Sequence, residues 1–236
     1  MIAGVIGAME PEVAILKEKL SDLTTSEKSG FTYYQGKLNG KEVVIVQSGI
    51  GKVAAALATA FLISEFSPSY VVNTGSAGGF DQSLSVGDIV ISSEVRYHDV
   101  DVTAFGYEIG QLPGNPAAYT PNTHLVSTAE QSAKKLDGIH TMIGQITTGD
   151  TFMTKEDDIA KARDNFPNMA AVEMEGAAIA HTCQLLNTPF VVIRSLSDIA
   201  GKESPTSFEA YLETAAVNSS KLVEDMISQV DVAQLS

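Results

Sequence analysis

Tryptophan is absent from this chain of 236 residues, cysteine occurs once, and arginine appears only as Arg96, Arg163 and Arg194. A lone cysteine, Cys183, excludes an intramolecular disulfide and fits a reducing compartment, so a cytoplasmic location is expected. His181 stands two positions away, but residues at that spacing on a helix do not face each other, and the thiol reads as a small buried hydrophobe rather than a nucleophile. No Gly-x-x-x-x-Gly-Lys-Ser/Thr segment is present, which together with the scarcity of arginine argues against nucleoside triphosphates. No basic run occurs, and the formal charge is -14. Nucleic acid and anionic membrane surfaces are therefore poor partners. No apolar run approaches the roughly eighteen residues that cross a bilayer, and the segment from Met1 to Gly7 lacks the basic lead of a secretory signal. No Gly-x-Ser-x-Gly elbow is found. The His98-Asp99-Val100-Asp101 run reads as a solvated loop, and neither metal nor cofactor is expected.

What the chain does contain is an alternation of strand-like apolar runs and helix-period segments, the pattern of an α/β protein. At 44% hydrophobic residues, with no long polar or low-complexity tract, it can bury one sizeable core. One domain over residues 1–230 with a short tail at 231–236 is expected. Strands are read at 1–7, 31–37, 42–47, 70–73, 88–92, 141–147 and 189–195, with Asn39-Gly40 as the turn of a hairpin. Helices are read at 10–20, 52–66, 123–136, 157–165, 177–186 and 207–228. The stretch from Tyr97 to Tyr119, broken by glycine and proline, reads as a long loop with a function of its own.

Ligands of open α/β sheets bind beyond the carboxyl ends of strands. Four polar segments occupy such places: Gly7 to Glu12, Asn73 to Gly79, Gly149 to Met153, and Arg194 to Asp198. A fifth feature is Val172-Glu173-Met174-Glu175-Gly176, two carboxylates inside an otherwise apolar stretch. Read as a strand, its period of two puts Glu173 and Glu175 on one face, aimed at one site; the other reading is an ordinary half-exposed edge strand. Glu12 alone would be a first-turn acid favoured by the helix dipole, and Asp198 alone a cap or turn residue. Together with Glu173 and Glu175 they make an acidic set with Arg194 as counter-ion. Acids in different surroundings can take opposite protonation states, which supplies a base and an acid near neutral pH, as cleavage of a glycosidic-type bond requires.

The segments Ile6-Gly7-Ala8-Met9-Glu10-Pro11-Glu12, Ser48-Gly49-Ile50-Gly51-Lys52-Val53-Ala54-Ala55-Ala56, Asn73-Thr74-Gly75-Ser76-Ala77-Gly78-Gly79, Arg96 to Tyr107, Val172-Glu173-Met174-Glu175 and Ser197-Asp198 occur in that order. In these the chain resembles the 5'-methylthioadenosine/S-adenosylhomocysteine nucleosidase family of the nucleoside phosphorylase superfamily, from about residue 2 to residue 228. The resemblance implies a three-layer fold with a central mixed β-sheet flanked by helices. It implies hydrolysis of the bond between adenine and thioribose, with Glu12 taking a proton from water and Asp198 donating at adenine N7. It further implies Glu175 as the ligand of the ribose hydroxyls, Glu173 as a structural partner beside it, and Met174 beneath the ribose. Phe152 would stack on adenine and the Met153 backbone read its edge. Ser76, Ala77 and Gly78 would line the base and sugar pocket, Ser197 steady Asp198, Arg194 steady the acid cluster, and Phe208 close the top. Met9 and Ile50 would meet the sulfur end, and Val102, Phe105 and Pro113 would cap the pocket of a partner subunit in a homodimer. Gly176-Ala177-Ala178, Thr151 and Met153-Thr154 depart from the commonest family form, which bears on the preference among adenosine thioethers.

Three alternatives accompany this expectation. Phosphorolysis needs cationic groups and backbone donors for the anion. The first strand instead ends in Gly7-Ala8-Met9-Glu10-Pro11-Glu12, without a Gly-Asp-Pro-x-Arg type of segment. A non-catalytic nucleoside-binding protein could share the fold. Hydrolysis of 6-amino-6-deoxyfutalosine is the third.

Overall fold

The computed structural model describes residues 1–200 and 204–235. In chain order the strands are β1 (Ile2–Gly7), β2 (Ser21–Lys28), β3 (Phe31–Leu38), β4 (Lys41–Gln47), β5 (Tyr70–Gly79), β6 (Ile89–Tyr97), β7 (Thr141–Thr148), β8 (Met169–Glu173) and β9 (Phe190–Ile199). The helices are α1 (Glu10–Glu18), α2 (Lys52–Phe66), α3 (Thr123–Ala133), α4 (Glu156–Asn165), α5 (Gly176–Leu185) and α6 (Ser204–Gln229). All nine strands belong to one mixed sheet in the order β2-β3-β4-β1-β5-β8-β7-β6-β9. Because β9 also pairs with β5, the last five strands close on themselves.

The continuous apolar runs follow from burial on both faces. Side chains alternate along a strand. Val43 and Ile45 of β4, Tyr70 and Val72 of β5, and Val191 and Ile193 of β9 enter one core, with Val13 and Leu16 of α1 and Leu222 and Met226 of α6. Val44 and Val46, Val71, and Phe190 and Val192 enter the other, with Leu62 of α2 and Ile179 of α5. Two helix layers thus sandwich the sheet.

Several expectations are corrected. β2 was not anticipated: nearly every residue in Ser21–Lys28 is exposed, so no apolar alternation marks it, and it exists because β3 offers an open edge. β5 does not stop at Asn73 before a turn but continues to Gly79, because β9 pairs along its whole length. β6 runs on to Tyr97, and the 97–119 segment is tied back by a bridge between Val95 and Tyr119 and holds a short 3-10 turn at Thr103–Phe105. The hairpin turn is as expected, with Asn39 at φ 49° and Gly40 at φ 79° between β3 and β4. In the C-terminal tail Asp231 caps a 3-10 turn and Leu235 is buried in the core, while Ser236 lies outside the described residues.

Candidate active site

The closed part of the sheet brings the sequence-distant segments together. Gly78 of β5 lies beside Val172 of β8 on one side and Asp198 of β9 on the other. Around this junction opens a cavity of about 480 Å³. Its wall includes Glu12, Asp198, Met9, Ile50, Ser76, Ala77, Gly78, Phe152, Met153, Glu173, Met174, Glu175, Ser197 and Phe208. Every one of these was expected from the sequence. Ala8, Thr151 and Val172 also line it; each falls inside a segment singled out in the sequence but had no role of its own there. Ala200 and Glu209 line it as well and were missed, Glu209 next to Phe208 and Ala200 two positions beyond Asp198.

Glu12 reaches the site because Pro11 and the acids of the first turn start α1 directly behind the end of β1. The side chain is 1% exposed. Its Oε2 accepts the N–H groups of Ala8 and Met9 at 2.8 and 3.0 Å, while Oε1 accepts the Ser76 N–H and hydroxyl, both at 2.9 Å. These donors satisfy a buried carboxylate that would otherwise be very costly. Gly75 permits the arrangement, since a Cβ there would stand 2.5 Å from Arg194 Nη1 and 2.7 Å from Glu12 Oε1.

The predicted strand geometry of the Glu-Met-Glu segment is replaced by something tighter. β8 ends at Glu173, the chain turns through Met174, and Glu175 is the N-cap residue of α5. The two acids therefore do not share a strand face, nor do they sit on a half-exposed edge; both are buried. They converge through Arg194, whose Nη2 donates to Glu173 Oε2 and lies 3.5 Å from Glu175 Oε2. Glu173 also accepts the backbone N–H groups of Glu175 and Gly176 at 3.0 and 2.7 Å and the Thr148 hydroxyl. This makes Glu173 the anchor of the α5 N-terminus, where a negative charge is favoured.

Arg194 is the expected counter-ion, but at 1% exposure it stands behind the cavity wall and not on it. It also donates to Asn73 Oδ1 at 2.7 Å and to the Ser76 carbonyl at 3.3 Å. Burial opposes its charge, but Glu173, Glu175 and Glu12 outweigh that and raise the guanidinium above its ordinary range. Glu175 has the opposite balance. Burial, reinforced by the Glu173 charge, pushes its carboxyl up to about 7 against the pull of Arg194 and of the Gly51 N–H, with Glu12 adding to the rise. Asp198, also on the cavity wall, is 3% exposed and accepts the Ser197 hydroxyl at 2.9 Å. On the cavity wall, the Phe152 and Phe208 rings meet edge to face at 5.7 Å.

Val102, Phe105 and Pro113 do not line the cavity of their own chain, and Phe105 is 80% exposed. Cys183 is fully buried and burial pushes its thiol up, while His181 stacks instead on Tyr119, as befits a structural pair.

The profile of the phosphorylase superfamily matches residues 2–228. A 5'-methylthioadenosine/S-adenosylhomocysteine nucleosidase of Colwellia psychrerythraea is 69% identical over 241 residues, covering 100% of this chain and 99% of that protein. The chain belongs to this nucleosidase family. The family's counterpart from Pseudoalteromonas translucida is 60% identical over the full length of both chains. A crystal structure of the Colwellia psychrerythraea nucleosidase in complex with adenine superposes with a TM-score of 0.95 at 70% identity, covering 100% of this chain and 96% of that one. The Neisseria meningitidis nucleosidase in complex with methylthio-immucillin-A gives a TM-score of 0.95 at 45% identity, covering 97% and 99%.

Proposed function

We propose that this chain hydrolyses the N-glycosidic bond of 5'-methylthioadenosine and S-adenosylhomocysteine, with Glu12 as the base for water and Asp198 as the acid for adenine. The observation that carries the reading is the pairing of these two buried carboxylates, 186 positions apart in sequence, on the wall of one cavity. Water held by Glu12 attacks the anomeric carbon as the bond to adenine N9 breaks; Glu12 takes the water proton and Asp198 delivers one to N7. Adenine leaves neutral and the thioribose keeps the hydroxyl. Glu175 holds the ribose hydroxyls and its negative charge favours the oxocarbenium-like sugar between the two acids. Phe152 stacks on the base, the Met153 backbone reads its edge, and Met174 packs under the ribose.

Hydrolysis is favoured over phosphorolysis by the electrostatics of the wall. Among the described residues the cavity is lined by Glu12, Glu173, Glu175, Asp198 and Glu209 and by no lysine, arginine or histidine. A phosphate dianion there would meet carboxylates without a cation to pair with. The enzyme acts as a homodimer in which Val102, Phe105 and Pro113 of one subunit cap the alkylthio end of the partner's pocket. Support comes from the exposed apolar surface of Ile50, Val53, Leu57 and Phe105, which water alone would leave as a liability. Residues 1–230 act as one domain. A cytoplasmic location, with a role in recycling by-products of S-adenosylmethionine and in methionine salvage, completes the reading. Adenine release from methylthioadenosine, S-adenosylhomocysteine and adenosine by purified protein tests it; no release from either thioether would refute it.

A further inference from the structure

Glu175 receives one backbone hydrogen bond from outside its own segment, the Gly51 N–H at 2.9 Å from Oε1. Gly51 is the N-cap residue of α2, it has no side chain to cap with, and both it and Gly49 stand at positive φ, 93° and 83°. A turn with two such glycines is not held by its own sterics. It is held from the far side. Asp150 Oδ1 accepts the Lys52 N–H at 2.8 Å, and a Cβ on Gly51 would stand only 3.0 Å from that oxygen. Asp99 Oδ2 in turn accepts the Asp150 N–H at 2.9 Å and the Lys52 ammonium at 2.6 Å. Neither aspartate lines the cavity.

We propose that Asp150, braced by Asp99, is a positioning residue for catalysis: it caps α2 from a neighbouring loop and so aims the Gly51 N–H at Glu175. This rests on the reading of Glu175 as the ribose ligand. The charged groups facing Glu175 are Glu12 from α1, Glu173 from the end of β8 and Arg194 from β9, and the head of α2 contributes the Gly51 N–H. A change confined to Asp150 alters only the last of these. Without the acceptor at Oδ1, the Lys52 N–H is released, the turn relaxes, and the ionised form of Glu175 loses a donor.

The test is the pH dependence of kcat and KM for 5'-methylthioadenosine in the wild type and in Asp150→Ala, Asp150→Asn and Glu175→Gln. In Asp150→Ala, KM rises about fivefold and the acidic limb of kcat/KM moves upward by about one pH unit, the worth of one hydrogen bond to a charged group. Asp150→Asn keeps an oxygen acceptor and restores both. A fall in kcat/KM that is equal at every pH, or one that Asp150→Asn shares in full, overturns the proposal. If Glu175→Gln removes the limb while Asp150→Ala leaves it in place, only the positioning role fails. If Glu175→Gln keeps the wild-type KM and limb, the ribose-ligand reading falls and this inference with it.

Discussion

Glu12 is held by four donors from three residues, Ala8, Met9 and Ser76, and it keeps that geometry at the edge of a cavity. A carboxylate so fixed needs no reorganisation to take a proton from water, which is what preorganised catalysis requires. Glu12→Gln keeps the size but not the basicity, and kcat for adenine release should fall by about 10²–10⁴-fold. Asp198→Asn should fall by a similar factor. Both variants should unfold cooperatively in urea; near-wild-type turnover in either would remove that residue from the mechanism. Glu175 gives a separate prediction about stability. Its folded-state carboxyl stands above the ordinary value, at about 7, so the folded protein binds the extra proton. Its contribution is most favourable below the ordinary carboxyl range and is lost as pH rises toward 7. The urea midpoint of Glu175→Gln should therefore gain on the wild type between about pH 5 and about pH 8. A constant difference across that range would mean that Glu175 is not the group carrying the shift. At this scale the sequence was informative, since polar residues at the ends of apolar runs proved to be the cavity wall. The turn at Met174 was hidden because Ala170 to Glu175 has the composition of a continuous strand, and only the N–H groups captured by Glu173 end it.

The elements around the site are joined by few but buried contacts. Thr148, at the end of β7, is fully buried, donates to Glu173 and accepts the Ala177 N–H at 2.8 Å. It ties β7, β8 and α5 together. Thr148→Val preserves shape but leaves the Ala177 N–H without its acceptor and takes one donor from Glu173 in the interior, and should cost about 1–3 kcal/mol in a urea titration. A loss below a few tenths of a kcal/mol would show that water replaces the hydroxyl. Most elements were legible because strands buried on two faces leave short continuous apolar runs, whereas helices buried on one leave a 3.6-residue period. β2 was not, because an exposed edge strand carries no burial pattern, and its register even slips between Ser21 and Thr24. The extension of β5 through Gly75 to Gly79 escaped for the opposite reason: glycines that mark a turn by composition here allow side chains of β9 and α1 to press against the strand.

At the scale of the whole molecule, the closure of β5, β8, β7, β6 and β9 sets Glu12, Glu175 and Asp198 around one space. No local pattern announces that closure, because it depends on β9 pairing with both β5 and β6. Phe105 is 80% exposed, which is open to test against the proposed homodimer. Sedimentation should give a dimer, and Phe105→Ala should raise KM for methylthioadenosine more than for adenosine, which has no alkylthio group to cover. Equal effects on the two substrates would place Phe105 away from the pocket. The central claim is that the acidic cavity activates water and excludes phosphate. The most direct measurement is the sugar product formed from methylthioadenosine with and without inorganic phosphate. Free methylthioribose should form at the same rate in both; phosphate-dependent release of methylthioribose 1-phosphate would mean that phosphate, not water, is the nucleophile.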